Sequence, residues 1–241
     1  MNFIVYTHSD YKDIWPLYFG QMNKYFPEDK HYIIVDKWVA GIPINYEVIL
    51  YDDKLTYRER MSSALKKINT VDYCIFQHED MFLYDTPNHD KLKVFTEYLK
   101  ANIEDKYFVK LIKGGITFGL SDATYPELKI ITNKFDCVFA IQPTIWNFEK
   151  LREVYDNSKG RNVWEFEVDA KRVCIERKIF GYYIDDGGSS RKGTSHFDSS
   201  IYPYIATAVV KGKWNTDEYS NELKELFKKY GINPYTRGTN S

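Results

Sequence analysis

The chain has 241 residues, with 33 Lys and Arg against 34 Asp and Glu, so its formal net charge is −1. That length can bury a substantial core, and the near-neutral balance argues against a general nucleic-acid binder, which normally needs a basic excess. No apolar run approaches the roughly 18 to 20 residues of a membrane span, and the opening MNFIVYTHSDYKD lacks a basic segment followed by an apolar one.

NFIVYT (2–7) predicts a first strand, and SDYKDIWPLYFGQMNKYF after it a helix, with Ser9 or Asp10 as its cap. HYIIVD (31–36) and YEVILYD (46–52) predict the second and third strands. TYRERMSSALKKI (56–68) carries Tyr57, Met61, Ala64, Leu65 and Ile68 at helical spacing. VDYCIFQ (71–77) follows as a strand apolar on both faces, which suits a central parallel position. HDKLKVFTEYLKANI (89–103) predicts a helix with Leu92, Phe95, Leu99 and Ile103 along one side.

The second half is less regular. YFVKLIK (107–113), DCVFAIQP (136–143) and SIYPYIATAVV (200–210) predict strands. NFEKLREVYDN (147–157) and TDEYSNELKELFKKYG (216–231) predict helices, the second closing on Gly231. Gly187 to Gly193 reads as a mobile loop. The order predicts an α/β fold: a mainly parallel central sheet flanked by helices, with antiparallel additions in the second half. No linker divides the chain, so residues 1–241 form one predicted domain.

Cys74, Cys137 and Cys174 are odd in number, far apart and set in apolar runs. They read as small buried hydrophobes of a reducing compartment, with no disulfide framework, and the expected protein is soluble and cytoplasmic. Aromatic residues make up 17%, including 21 Tyr. Sugar-binding clefts use aromatic faces, and a compositional bias toward Tyr, Lys, Asn and Ile produces the same count.

In open α/β sheets ligands gather at the carboxyl ends of the strands. Here the first strand leads into Thr7-His8-Ser9-Asp10, the second ends at Asp36, and the fourth ends at His78-Glu79-Asp80. Parallel strands would bring these groups to one edge. Asp36 could accept hydrogen bonds from a ribose or a base, while Thr7, Ser9 and nearby backbone N–H groups could approach a nucleotide.

The segment TYRERMSSALKKINTVDYCIFQHEDMFL resembles the arginine-led helix and following strand, dyvlflDxDd, of GT-A-fold glycosyltransferases, nucleotide-diphospho-sugar transferases of family-2-like type. On that resemblance His78, Glu79 and Asp80 occupy the DxD segment, with Asp80 on its last acid and His78 where the family has its first Asp. VFAIQPTIWNFEKL (138–151) and VWEFEVDAKR (163–172) are similar to the acceptor-side region, where such enzymes place an acidic general base. VVKGKW (209–214) looks like a late strand seen in polysaccharide-building members. The likeness covers roughly residues 2 to 215. It implies a GT-A-like (Rossmann-like) fold, with residues 1–105 as a donor half and residues 106–241 as an acceptor half plus a C-terminal helix.

The implied function is transfer of a sugar from a UDP-, GDP- or dTDP-sugar to a saccharide, glycan or lipid-linked acceptor, with inversion and with Mn²⁺ or Mg²⁺. A divalent cation stabilises the charge that grows on a diphosphate leaving group, and it prefers carboxylate and water oxygens. In an extended strand His78 and Asp80 share a face, which favours them as metal ligands; a turn there would let Glu79 take over. Read as a strand, WEFE puts Glu165 and Glu167 on one face, with Trp164 and Phe166 on the other. Glu165 matches the resembled base position best and Glu167 second, the base taking the acceptor proton. Trp146 and Trp164 could stack on an acceptor sugar. His196, after the glycine loop, could join the metal, and Arg191, Lys192 or Lys213 could contact diphosphate. Either Arg58 or Arg60 faces the nucleotide edge.

Two alternatives accompany this reading. A sugar-phosphate nucleotidyltransferase usually shows a Gly-rich basic loop after the first strand, where this chain reads THSDYKDIW. A non-catalytic carbohydrate- or nucleotide-binding protein on the same fold is the other, prompted by His78.

Overall fold

The computed structural model describes residues 1–69, 71–102, 105–114, 119–134 and 137–240. Its main sheet grows from β1 (Asn2–Tyr6), whose parallel neighbours are β2 (Lys30–Val35) and β4 (Tyr73–His78). β3 (Glu47–Leu50) extends the sheet beyond β2, also parallel. The other half adds β5 (Phe108–Lys110), β6 (Leu128–Ile130), β7 (Thr144–Asn147) and β8 (Tyr182–Ile184). The strand order is β3-β2-β1-β4-β7-β5-β8-β6, with β7 antiparallel to both β4 and β5 and β6 antiparallel to β8. The expected parallel-first sheet with antiparallel additions is what forms.

Alternation along β1 explains the layering. Phe3 and Val5 point into one apolar cluster, and Ile4 and Tyr6 into another on the opposite face. α1 (Trp15–Tyr25), α3 (His89–Ala101) and α6 (Ser220–Tyr230) cover the first face. α2 (Tyr57–Leu65), α4 (Phe148–Asn157) and α5 (Val163–Glu176) cover the second. α2 starts on a capping box in which Thr56 and Glu59 satisfy each other's amides, and α6 ends on Gly231 at φ 65°.

Five expectations change. The helix foreseen after β1 is broken: residues Ser9–Tyr11 make a 3₁₀ turn capped by the His8 ring, and α1 begins later with Pro16 in its first turn. The helix over 89–103 ends at Ala101; Ile103 lies outside the described residues. No strand forms over 137–143, and Asp136 lies outside the described residues. Side chains take the hydrogen-bonding groups there: Lys110 Nζ donates to the Cys137 carbonyl and the Ile141 amide donates to Glu167. WEFE is helical, because Asn162 caps α5 and Phe166, Ala170, Val173 and Cys174 are buried at helical spacing. Of 200–210 only β11 (Val209–Val210) is a strand, Pro203 lacking the N–H a ladder requires.

The glycine-rich loop contains β9 (Ser190–Lys192), paired antiparallel with β10 (His196–Phe197). β11 turns back through Lys211-Gly212 into β12 (Lys213–Asn215), which pairs with β13 (Thr239–Asn240) after the short α7 (Pro234–Arg237). Cys74 and Cys174 are buried and Cys137 is partly exposed, all as free thiols. Among the described residues no helix is long and apolar enough to cross a membrane.

Candidate active site

Register brings the strand ends together. Tyr6 stands beside Ile34 on one side and His78 on the other, so the segments after β1, β2 and β4 emerge at one edge. A cavity of about 730 Å³ opens at this edge. Its walls include Tyr57 and Arg60 of α2, His78 and Asp80 after β4, and Trp164 and Glu167 of α5. Ser195, His196, Lys211 and Gly212 also line it.

Thr7, His8, Ser9 and Asp36, expected near the nucleotide, are not among the cavity's walls. The Asp36 carboxylate accepts from the Ser9 amide at 2.6 Å and the Ser9 hydroxyl at 2.7 Å. Burial raises its pKa and these two donors more than offset that, leaving it below the ordinary value. Thr7 is fully buried, its hydroxyl accepting from Trp15 Nε1 at 2.9 Å. His8 sits between acids, 3.5 Å from Asp10 and 3.3 Å from Asp53.

Between the two arginines of α2, the geometry selects one. Arg60 is a cavity wall; Nε donates to the Leu55 carbonyl at 2.8 Å, Nη2 pairs with Asp53 at 2.7 Å, and the group lies 5.2 Å from the Tyr51 ring centre. Arg58 is half-exposed and lies off the cavity.

β4 stops at His78 and the chain turns, the Met81 amide donating to the His78 carbonyl at 3.3 Å. His78 Nε2 is 2.9 Å from the Tyr57 hydroxyl, which is 3.0 Å from that of Tyr155. Burial holds the imidazole down at about 3, so it is neutral at physiological pH. Glu79 is buried, away from the cavity, with its pKa raised well above the ordinary value by burial and by Asp80. Asp80 is the carboxylate that faces the cavity; burial raises its pKa, against backbone hydrogen bonding from Val209 and the charge of Arg237.

Among the described residues no three His, Cys, Asp or Glu side chains gather as a metal cage. Mg²⁺-type sites keep several waters and use one or two carboxylates plus substrate phosphates. Asp80 fits that sparse mode. His196 lines the cavity and its Nδ1 contacts Glu218, a buried carboxylate that also pairs with Lys192 at 3.1 Å.

On α5 the two acids separate. Residues two apart on a helix point about 200° away from each other. Glu167 faces the cavity and accepts from the Ile141 amide at 2.7 Å; burial raises its pKa and the Lys110 charge opposes the rise. Glu165 is exposed, off the cavity, and serves the helix start, accepting from the Arg161 amide at 2.9 Å and Asn162 Nδ2 at 3.0 Å. The tryptophans separate too. Trp164 stands at the cavity rim, 74% exposed, whereas Trp146 is in the core with its ring 4.5 Å from Phe108 and 5.8 Å from Phe139.

Lys213 is exposed at the start of β12 and off the cavity; Lys211, two residues earlier, is a wall. Arg191 is bound to Asp198 at 2.8 Å and Glu222 at 2.6 Å. Walls that sequence reasoning did not single out include Tyr6, Tyr57, Arg161 and Lys211. Tyr57 reads as one of the helix's apolar positions, and nothing local distinguishes it from core.

No protein-family model matches the sequence, and no curated protein matches it significantly. Among solved structures, TarS of S. aureus is similar at 14% identity and TM-score 0.50, over 96% of this chain and 39% of that one. An active-site mutant of LgtC matches over 96% of this chain and 95% of its own, at 10% identity and TM-score 0.49. The bifunctional IspDF of Campylobacter jejuni matches over 80% and 52%, at 14% identity and TM-score 0.43. The likeness to TarS is one of fold, the mixed α/β fold with a mainly parallel central sheet expected from the sequence.

Proposed function

We propose that this chain, on its GT-A-like fold, moves a sugar from a nucleotide-diphosphate donor to a saccharide or glycan acceptor, with inversion at the anomeric carbon. The observation that carries the reading is one cavity at the carboxyl edge of the sheet with Asp80 and Glu167 both in its walls. Arg60, Arg161 and Lys211 give the same cavity positive charge suited to a diphosphate.

In this reading Glu167, rather than Glu165, is the general base. It takes the proton from the acceptor hydroxyl as that oxygen forms its bond to the sugar C1 and the bond from C1 to the diphosphate breaks. Its burial suits a base, because a carboxylate with a raised pKa is a stronger proton acceptor. Asp80 would hold Mn²⁺ or Mg²⁺, which when bound offsets the charge developing on the diphosphate. Trp164 offers the acceptor sugar an aromatic face beside Glu167. UDP-, GDP- and dTDP-sugars are the donors proposed, and saccharide, glycan or lipid-linked acceptors used in polysaccharide building are the partners.

The test is a panel of UDP-, GDP-, dTDP- and CMP-sugars with and without Mn²⁺, read by thermal shift and slow donor hydrolysis. Metal-dependent binding that disappears in Asp80→Ala supports the reading. Binding to no donor, or binding indifferent to both metal and Asp80, sinks the metal site.

A further inference from the structure

We infer that Arg237 is a positioning residue of this cavity: its guanidinium fixes the separation of the two walls between which the donor's diphosphate would sit. The inference rests on the nucleotide-sugar reading above. Arg237 belongs to α7 and its side chain is only 10% exposed. It is not a cavity wall, so it acts on a ligand through other residues.

Those residues belong to two segments far apart in sequence. On one side Arg237 grips the loop after β1: Nε donates to Asp13 Oδ2 at 3.0 Å, Nη2 contacts Asp13 Oδ1, and the group lies 4.7 Å from the Tyr11 ring centre. On the other side Nη1 donates at 3.1 Å to the carbonyl of Gly212, in the turn between β11 and β12. Tyr11 is a wall of the cavity, and so are Lys211 and Gly212. One planar group thus spans both walls. The next residue, Gly238, accepts from the Trp214 amide at 2.9 Å, which ties α7 to the same hairpin through main chain.

The chemistry calls for arginine. Five N–H donors in a fixed fork can serve a carboxylate and a carbonyl in different directions while the flat face rests on a phenol ring. A lysine ammonium keeps the charge and cannot hold that geometry. A displacement of one wall by an ångström is enough to lower the efficiency of a positioned reaction by orders of magnitude.

Amide hydrogen exchange without ligand and donor titration together test the inference. Arg237→Gln is expected to speed exchange in residues 8–13 and in residues 209–215, and to weaken the best-binding nucleotide-sugar about tenfold, with KM moving more than kcat. Arg237→Lys, which keeps the charge and not the fork, is expected to bind the donor as weakly as Arg237→Gln. Unchanged exchange in either segment, or wild-type donor affinity in either variant, overturns it. Should Arg237→Gln fail to fold, Asp13→Asn frees one wall alone: faster exchange confined to residues 8–13 with weaker donor affinity supports the inference, and unchanged affinity overturns it. A wild type that binds no nucleotide-sugar sinks the functional reading, and exchange in the variants then decides the tether by itself.

Discussion

The Tyr57 hydroxyl stands 2.9 Å from His78 Nε2 and 3.0 Å from the Tyr155 hydroxyl, so a helix, the end of the central strand and α4 share one polar contact inside an aromatic wall. The rings of Tyr6 and Phe76 also approach His78, at 5.2 Å and 5.9 Å between centres. His78 is thereby a fixed neutral wall residue. Tyr57→Phe removes the partner of two buried groups and should cost about 1–3 kcal/mol, read as a lowered urea midpoint. Metal dependence of donor binding should survive it; loss of that dependence would return His78 to the metal's ligand set.

Glu167 gives the pH dependence a sign. Its pKa is raised in the folded protein, and a base must be ionised to accept a proton. Transfer should therefore be low at acid pH and climb through a limb lying above the ordinary Glu value, read at saturating metal so that the raised pKa of Asp80 does not contribute. Lys110 opposes the rise, so Lys110→Met should move the limb to higher pH. Glu167→Gln should abolish the limb along with transfer and leave donor affinity intact. A limb that persists in Glu167→Gln assigns the base elsewhere.

Trp164 is exposed and packs no core, so Trp164→Ala should change stability by no more than about 0.5 kcal/mol. Losing an aromatic platform should raise the acceptor KM roughly threefold to tenfold, with the donor KM unchanged. Trp146→Ala is the contrast: it empties a core site and should lower stability by about 3–5 kcal/mol, measured by chemical unfolding. Equal acceptor effects in both variants would mean that the rim ring is not a platform.

Gly20 answers to packing alone. A Cβ there would come within 2.2 Å of the Tyr230 ring of α6, where Tyr230 donates to Gln21 Oε1 at 2.7 Å. Gly20→Ala should cost about 1–3 kcal/mol by pushing that ring off the helix. Tyr230→Ala in the same background should recover part of the loss, and failure to recover any would place the strain elsewhere.

How much of this was legible depends on chain length per element and on distance. β1, β2 and β4 announce themselves, because runs such as FIVY and YCIF are apolar on both faces, as buried parallel strands require. Strands of three residues, such as β6 and β8, carry too little pattern to stand out, whereas β5 lies inside the longer apolar run over 107–113. In α5 the opening Trp-Glu-Phe-Glu alternates like a strand over four residues; the helical burial of Phe166, Ala170, Val173 and Cys174 needs a longer window. Reading the shorter window put Glu165 and Glu167 on one face, and the resemblance ranked Glu165 before Glu167, whereas Glu167 is the one that lines the cavity. The likeness to the DxD segment did direct attention to Asp80, which faces the cavity. Arg237 had no local signal at all, since its partner Asp13 lies 224 residues away.

Lys211 has φ 51° and Gly212 φ 78°, the left-handed pair that a two-residue hairpin turn demands. Glycine and asparagine adopt that conformation with less strain than lysine. Lys211→Asn should therefore make the hairpin more heat-resistant while removing a cation from the cavity. Selection for thermal tolerance and selection for turnover would pull this one position in opposite directions, as a stability–activity trade-off written in backbone geometry.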